Sequence, residues 1–331
     1  MGGNDTVAIT GATGFLGTAL TDCLLDRGFQ VRILARDADK ARRFDGRAQA
    51  VILGDICDAR AVDELVRGAD CVVHLVSNFR LASGPPESYR RINVEGTENV
   101  LRAARAAGVK RLVYCSTIGV HGDVRGTPAN EESPFNPGDR YQETKLEAEQ
   151  KVRAAAGGGP MEIVVVRPCS MYGPGDLRML KMFRLLARAR FMKIGPCLEN
   201  FHAVYIDDVV DGFVRAIETP GIDGEVFIIG GEEYLPLGDY IDKAAAAAGA
   251  PPPSRRAPYW LVYGVAVACE TICVPLGIEP PLHRRRVRFF RNNRAFDTRK
   301  ARERLGFQPR VSLDEGMQRT VAWYREHGLL E

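Results

Sequence analysis

The chain has 331 residues, 45% hydrophobic and 26% charged, with a formal net charge of +3. That length suits one large α/β domain or two smaller ones with a substantial core; the near-balanced charge argues neither for nor against nucleic acid, and the lack of a nucleic-acid-binding motif or a basic block in the first 250 residues predicts no such partner. Eight cysteines at 23, 57, 71, 115, 169, 197, 269 and 273 form no C-x-x-C pair, which argues against zinc and for free thiols in a reducing, cytoplasmic setting; the short polar stretch 1–6 predicts no secretory leader.

Residues 7–9 (VAI) are a short apolar run that predicts a buried parallel strand. Gly11, Gly14 and Gly17 follow at three-residue spacing, with Thr13, Phe15 and Leu16 among them, and Leu16, Leu20 and Leu24 open a helical pattern. A strand that turns sharply into a helix, with glycines where the backbone must approach a pyrophosphate, predicts a dinucleotide site. The second strand, 29–35, ends at Arg36, where an acidic residue would accept from an NAD ribose and an arginine would meet the NADP 2′-phosphate. Arg36 favours NADP, with NAD the alternative because Asp37 lies one residue later; Arg42 and Arg43 read as a solvated helix face. Strands follow at 50–53 and 71–76, and Asp55 is a candidate cap of a helix over 59–67. His74, inside an apolar run, reads as a core histidine.

Residues 79–89, with Gly84, Pro85 and Pro86, predict a loop over the site. A helix over 91–107 and a fifth strand over 111–116 lead to Thr117. Tyr141 and Lys145 then lie four apart, one turn apart on one face of a helix running to about 156. A free tyrosine has a pKa near about 10; a neighbouring ammonium favours the phenolate and makes it an acid/base group for an alcohol or ketone. Gly157–Pro160 stops that helix, and 162–166 is the sixth strand, followed by RPCSMYGPGD over 167–176.

TGATGFLG, Asp55-Ile56, Asn93-Val94-Glu95-Gly96-Thr97, Thr117 five residues before Gly122, Tyr141-x-x-x-Lys145 and the RPCSMYGPGD run together resemble the extended short-chain dehydrogenase/reductase superfamily. The run Phe296-Asp297 through Leu305-Gly306-Phe307 resembles its usual ending. The resemblance implies a doubly wound, mostly parallel α/β sheet (Rossmann) over 1–175, with a strand returning near 201–230, and a mainly substrate-binding lobe over 176–331. It implies cofactor contacts at Gly11, Thr13, Gly14, Phe15, Leu16, Gly17, Arg36, Asp55, Ile56, Leu75, Val76, Tyr141, Lys145, Pro168 and Ser170. It also implies catalysis by Thr117, Tyr141 and Lys145 with no metal. Asp55 would meet the adenine amino group and Ile56 the ring, Leu75, Val76 and Ser77 would pass beneath the ribose and nicotinamide, and Pro168 would lie by the nicotinamide amide.

Ser170 stands where the nucleotide-sugar branch carries Asn, and no Arg-x-Gly-Asp element occurs near 290. The chain is therefore more similar to the 3β-hydroxysteroid dehydrogenase and dihydroflavonol reductase branch, which implies a hydroxyl/ketone oxidoreductase of a sterol-like, 3β-hydroxy or 4-carboxy substrate. Two alternatives stand beside it: a nucleotide-sugar epimerase or dehydratase with retained NAD, and a non-catalytic cofactor-binding protein.

In the last third, 177–191 predicts a basic amphipathic helix, and Asp207 or Asp208 caps the next one. Residues 259–268 are strongly apolar, with Glu270 interrupting the run, and are too short to span a bilayer. Arginines at 284, 285, 286, 288, 291 and 294 are interleaved with Phe289 and Phe290. This segment, 258–294, is either lobe core with a cationic rim or a peripheral contact with anionic lipid. The resemblance implies a homodimer through 91–107 and 141–156.

Overall fold

The computed structural model describes residues 1–2, 4–79, 87–125, 127–278 and 280–331; most of the predicted loop over 79–89, with Gly84, Pro85 and Pro86, lies outside them. Seven parallel strands form the central sheet: β1 (Thr6–Thr10), β2 (Gln30–Ala35), β3 (Ala50–Leu53), β4 (Cys71–His74), β5 (Arg111–Cys115), β6 (Glu162–Pro168) and a late-returning Val226–Ile229. The spatial order is β3-β2-β1-β4-β5-β6, with Val226–Ile229 outside β6. β1 therefore pairs with both β2 and β4 in parallel. The order reverses there, so a crevice opens at the carboxyl ends of β1 and β4. Val7, Ala8 and Ile9 are fully buried, because helices cover both faces of the sheet.

α1 (Phe15–Asp26), α2 (Ala38–Ala41) and α3 (Ala59–Val66) link the first half. Asp58, not Asp55, caps α3, its carboxylate accepting from Arg60 N–H at 2.9 Å. α4 (Glu87–Arg90) and α5 (Gly96–Ala106) flank a π turn at Arg91–Glu95, so the helix expected over 91–107 is interrupted in its first turn. α6 (Arg140–Ala154) carries Tyr141 and Lys145.

After β6 the chain alternates between sheet and lobe. β7 (Ser170–Tyr172), α7 (Leu180–Ala187), β8 (Lys193–Ile194), β9 (Asn200–Phe201), β10 (Ala203–Tyr205) and α8 (Ile206–Glu218) precede the seventh sheet strand, β11 (Val226–Ile229). β12 (Leu235–Pro236), α9 (Leu237–Ala247), β13 (Arg256–Ala257), α10 (Tyr259–Cys273), α11 (Arg284–Arg288), α12 (Arg299–Leu305) and α13 (Leu313–Glu326) complete it. β10 pairs with β7, β12 with β9 and β13 with β8.

Three expectations are corrected. α7 covers only Leu180–Ala187 of the helix expected over 177–191. Neither Asp207 nor Asp208 caps α8; Asp208 instead accepts from Arg310 N–H at 2.8 Å and Val311 N–H at 3.3 Å, tying α8 to the C-terminal segment. α10 runs through Glu270 and buries only Ala266, so it is not lobe core. Among the described residues no helix is long and apolar enough to cross a membrane.

Candidate active site

The cleft begins at the turn between β1 and α1. Gly11 has φ +77°, and a Cβ there would lie 3.0 Å from Val76 N, because β4 ends alongside. At Gly17 a Cβ would sit 1.9 Å from the Gly11 carbonyl oxygen. Gly14 occupies the cap position of α1, and no side chain among the described residues caps it. The helix thus presents free N–H groups and its positive end to the cleft, the arrangement a pyrophosphate needs. Thr13 is half-buried beside them and Leu16 is packed in the core. Phe15 lies under the Arg178 guanidinium, 5.0 Å from ring centroid to Cζ. Leu75 and Val76 are partly exposed along the same crevice.

At the far end, Arg36 is exposed and 3.8 Å from the Asp55 carboxylate. Asp37 accepts from Asp39 and Lys40 N–H groups and so is committed to capping α2. Asp55 accepts from Cys57 N–H at 2.9 Å. The Ile56 side chain is buried against Gly96, and its carbonyl accepts from Asn99 at 3.1 Å. Asp55 is therefore a partly exposed polar group beside Arg36, while the Ile56 side chain is buried in the core rather than open to an adenine ring.

The opposite end gathers hydroxyls from three elements. Thr117 follows β5 and caps a short turn at Ile118–His121, its Oγ1 accepting from Gly119 N–H at 3.0 Å. Tyr141, in the first turn of α6, has its hydroxyl bonded to the hydroxyls of Thr117 and Ser77. Ser77 lies just past β4, in the run expected beneath the ribose and nicotinamide; no spacing in the sequence links it to residues 117 and 141. Phe79 packs edge-on to Tyr141 at 4.9 Å, and the Arg285 guanidinium stands 5.8 Å from the Tyr141 ring centroid. Burial pushes the Tyr141 hydroxyl above its ordinary value of 10; the bonds to Thr117 and Ser77 and the charge of Arg285 oppose that rise.

Lys145 is buried one turn further on. Its Nζ donates to the Cys115 carbonyl at 2.7 Å and stands 4.2 Å from the Tyr114 ring centroid. Burial lowers its pKa from 10.5 to about 8, opposed by Cys115 and Glu149. Thr117, Tyr141 and Lys145 thus converge on the carboxyl end of β5.

A buried network holds this end rigid. Glu149 and Arg167 are both fully buried and paired, with Arg167 Nε donating to Glu149 Oε2 at 3.0 Å. Ser116, beside Thr117, donates to the same oxygen at 2.5 Å. Arg167 Nη1 donates to the Glu131 carbonyl at 2.9 Å and to His121 Nε2 at 3.0 Å. Nε2 must then be an acceptor, so Nδ1 carries the proton and donates to the Pro134 carbonyl at 3.2 Å. His121 is a structural member of this network. Burial, with Arg167 nearby, lowers its pKa.

Asn93, from the π turn, joins α6 to the segment after β4: its Oδ1 accepts from Asn78 N–H at 2.6 Å and its Nδ2 donates to Thr144 Oγ1 at 2.9 Å. His74 bonds Thr10 at 2.6 Å and Thr97 at 2.9 Å, and burial lowers its pKa to about 3; it is a core residue. Pro168 ends β6, and Ser170 is partly exposed at the start of β7. Among the described residues no cluster of His, Cys, Asp or Glu is suited to a metal ion.

The sequence model of the NAD dependent epimerase/dehydratase family matches residues 7–230. The chain is 33% identical to the 2-alkyl-3-oxoalkanoate reductase of Stenotrophomonas maltophilia over 96% of this chain and 98% of that one. It is 27% identical to the decarboxylating sterol-4-alpha-carboxylate 3-dehydrogenase of Mus musculus over 95% of this chain and 89% of that one. Among solved structures, the dTDP-glucose 4,6-dehydratase DesIV of Streptomyces venezuelae, with NAD bound, superimposes with a TM-score of 0.77 at 25% identity, covering 98% of this chain and 99% of that one. The glycine turn, the switch-point crevice and these likenesses converge: the chain belongs to the NAD-dependent epimerase/dehydratase family and is an NAD(H)-binding oxidoreductase of the extended short-chain dehydrogenase/reductase type.

Proposed function

We propose that this protein interconverts a secondary hydroxyl and a ketone on a bulky apolar substrate, a sterol or a 2-alkyl-branched acid, whose neighbouring carbon bears a carboxylate. NADP, in preference to NAD, is the exchangeable hydride carrier. The observation that carries the reading is the convergence of the Tyr141, Thr117 and Ser77 hydroxyls beyond the ends of β5 and β4. A carbonyl oxygen replacing the mutual contacts of these groups would accept from Thr117 and Tyr141. The names of two relatives, a 2-alkyl-3-oxoalkanoate reductase and a sterol-4-alpha-carboxylate 3-dehydrogenase, share one chemical feature: the reacting carbon is next to one that bears a carboxylate.

The bound nicotinamide would accept or supply the hydride. The glycine turn and the open end of α1 would hold its pyrophosphate, and the crevice beside Leu75, Val76 and Pro168 would take the nicotinamide half. Thr117 would fix the substrate oxygen by donating to it. Tyr141 would take the hydroxyl proton as hydride leaves, or return it as hydride arrives. Lys145 would hold a positive charge beneath the site and stabilise a Tyr141 phenolate. Arg36 favours the 2′-phosphate, because Asp37 is occupied as a cap and Asp55 is the Arg36 partner.

Tyr141→Phe removes the acid/base hydroxyl and leaves the glycine turn intact. It is expected to abolish turnover of a 2-alkyl-3-hydroxyalkanoate while NADP binding, followed by fluorescence, persists. Normal turnover in that variant contradicts the reading.

A further inference from the structure

Among the described residues of the lobe, one guanidinium nitrogen is buried without a hydrogen-bond partner. Arg294 follows the turn at Phe289–Arg291, with its backbone N–H donating to the Asn200 carbonyl at 2.8 Å. The preceding Asn293 is fixed by Asp123 at 2.8 Å, Val124 at 3.0 Å and Thr127 at 2.9 Å. The Arg294 guanidinium stacks on Phe289 at 4.6 Å. Its Nη1 is buried and has no hydrogen-bond partner among the described residues. Buried polar atoms are normally paired, and an arginine cannot relieve the cost by losing its proton. Burial pulls its pKa from 12.5 to about 10, with Asp123 and Asp139 opposing and Arg285 reinforcing.

Arg285 connects this atom to the reacting groups. Its charge acts on both Arg294 and Tyr141. Its Nε is 2.7 Å from Asp139, which caps α6 two residues before Tyr141, and its guanidinium lies 5.3 Å from the Phe79 ring centroid. Asp139 neutralises Arg285, and Asp123 accepts from Asn293 N–H. No side-chain oxygen among the described residues bonds the buried Arg294 Nη1, and a single carboxylate oxygen would satisfy it. A carboxylate also fits the planar donor fork.

We propose that Arg294, with Arg285 beside it, binds the substrate carboxylate and so sets the neighbouring carbon against Tyr141 and Thr117. This assignment rests on the reading above. The test is calorimetric titration of a 2-alkyl-3-hydroxyalkanoate and its methyl ester into NADP-loaded protein, for the natural chain, Arg294→Met and Arg285→Met. The natural chain should prefer the acid by about 10- to 100-fold, and Arg294→Met should bring that ratio close to one. Arg285→Met, on the more exposed side, should reduce it severalfold and guards against misfolding of the first variant. An equal affinity for acid and ester, an undiminished ratio in Arg294→Met, or no binding of the acid overturns the assignment. UDP-glucose binding more tightly than the acid, and lost in Arg294→Met, overturns it in favour of a diphosphate site. An acid preference without turnover leaves the carboxylate site standing and removes the reading of the reaction.

A separate observation carries a second inference. Trp260, Leu261, Val265 and Ile272 occupy one exposed face of α10, and Val274, Leu276 and Ile278 continue it; Trp260 is 73% and Leu276 66% exposed. Residues 255–294 hold eight arginines and two glutamates, whereas the whole chain is only +3, so the remainder is net negative. Glu270 is taken by Arg284, and Arg286, Arg288 and Arg291 make no ion pair among the described residues. An apolar stripe edged by unpaired arginines matches an anionic bilayer surface, whereas a second copy would oppose like charges.

We infer that this face docks on anionic lipid. In vesicle sedimentation, binding should require phosphatidylserine in phosphatidylcholine vesicles, weaken with salt, and fall about 30-fold in an Arg286→Ala/Arg288→Ala double variant. Trp260→Asp should also lose it. Absence of binding, binding independent of phosphatidylserine, or a solution dimer that Trp260→Asp dissociates contradicts this.

Discussion

Tyr141 is under opposing influences. Burial raises its pKa, while two hydroxyl partners and a nearby guanidinium pull it down. Lys145 is held away on the Cys115 carbonyl, with its own pKa near 8. If its charge is needed, ketone reduction should hold through neutral pH and decline above about pH 8, as the ammonium loses its proton. Lys145→Arg stays charged across that range, so a pH–rate profile of that variant should lack the decline; an unchanged profile would separate the limb from Lys145. Thr117 has two tasks, since its hydroxyl also caps a turn. Thr117→Ser should keep both, while Thr117→Ala should lower kcat/KM by about 100-fold or more, with a loss of stability of about 1 kcal/mol from the cap. Kinetics and denaturation on the same preparations separate the two effects. At the other end of the cleft, Arg36→Asp should move the preference from NADP toward NAD, read as the ratio of the two dissociation constants.

At the scale of elements, the ends of β5, β6 and α6 are locked by one ion pair. Removing its carboxylate in Glu149→Ala leaves the Arg167 charge buried and unpaired, which costs about 3–5 kcal/mol; urea denaturation measures it, and a loss below about 1 kcal/mol would show the pair to be incidental. The buried histidines add a pH dependence of definite sign. His74 stays neutral in the fold down to about pH 3, whereas an unfolded imidazole protonates below about 6.5. The unfolded chain then binds more protons, so stability falls as the pH drops below about 6.5. His121 and His202 are lowered in the same direction by burial. The urea midpoint should therefore decrease between about pH 7.5 and about pH 5, and a midpoint that rises would contradict the neutral assignments.

Across the whole molecule, what the sequence showed was what short spacing encodes. Gly11, Gly14 and Gly17 belong to one turn, and Tyr141 and Lys145 to one helical face, so each set is visible before the chain folds. Ser77, Arg285 and Arg294 reach the Tyr141 region only because the topology brings the ends of β4, β5 and the late lobe together. No local pattern announces that meeting. The sequence leaves α10 open between lobe core and a peripheral surface for a different reason. A helix apolar on all sides reads as buried, yet it buries only Ala266, and Glu270 is not a break but the partner of Arg284. Asp55 and Asp58 show the limit of cap prediction: both precede the same helix, and only the geometry assigns the cap to Asp58.

The most direct measurement is the fate of the cofactor during turnover. Purified protein is supplied with NADP in large excess and a 2-alkyl-3-hydroxyalkanoate, and reduced cofactor is followed by absorbance. The account predicts many equivalents of NADPH per protein, and none from Tyr141→Phe. Formation of one equivalent at most, with a tightly held NAD that never exchanges while a nucleotide sugar is interconverted, would contradict it.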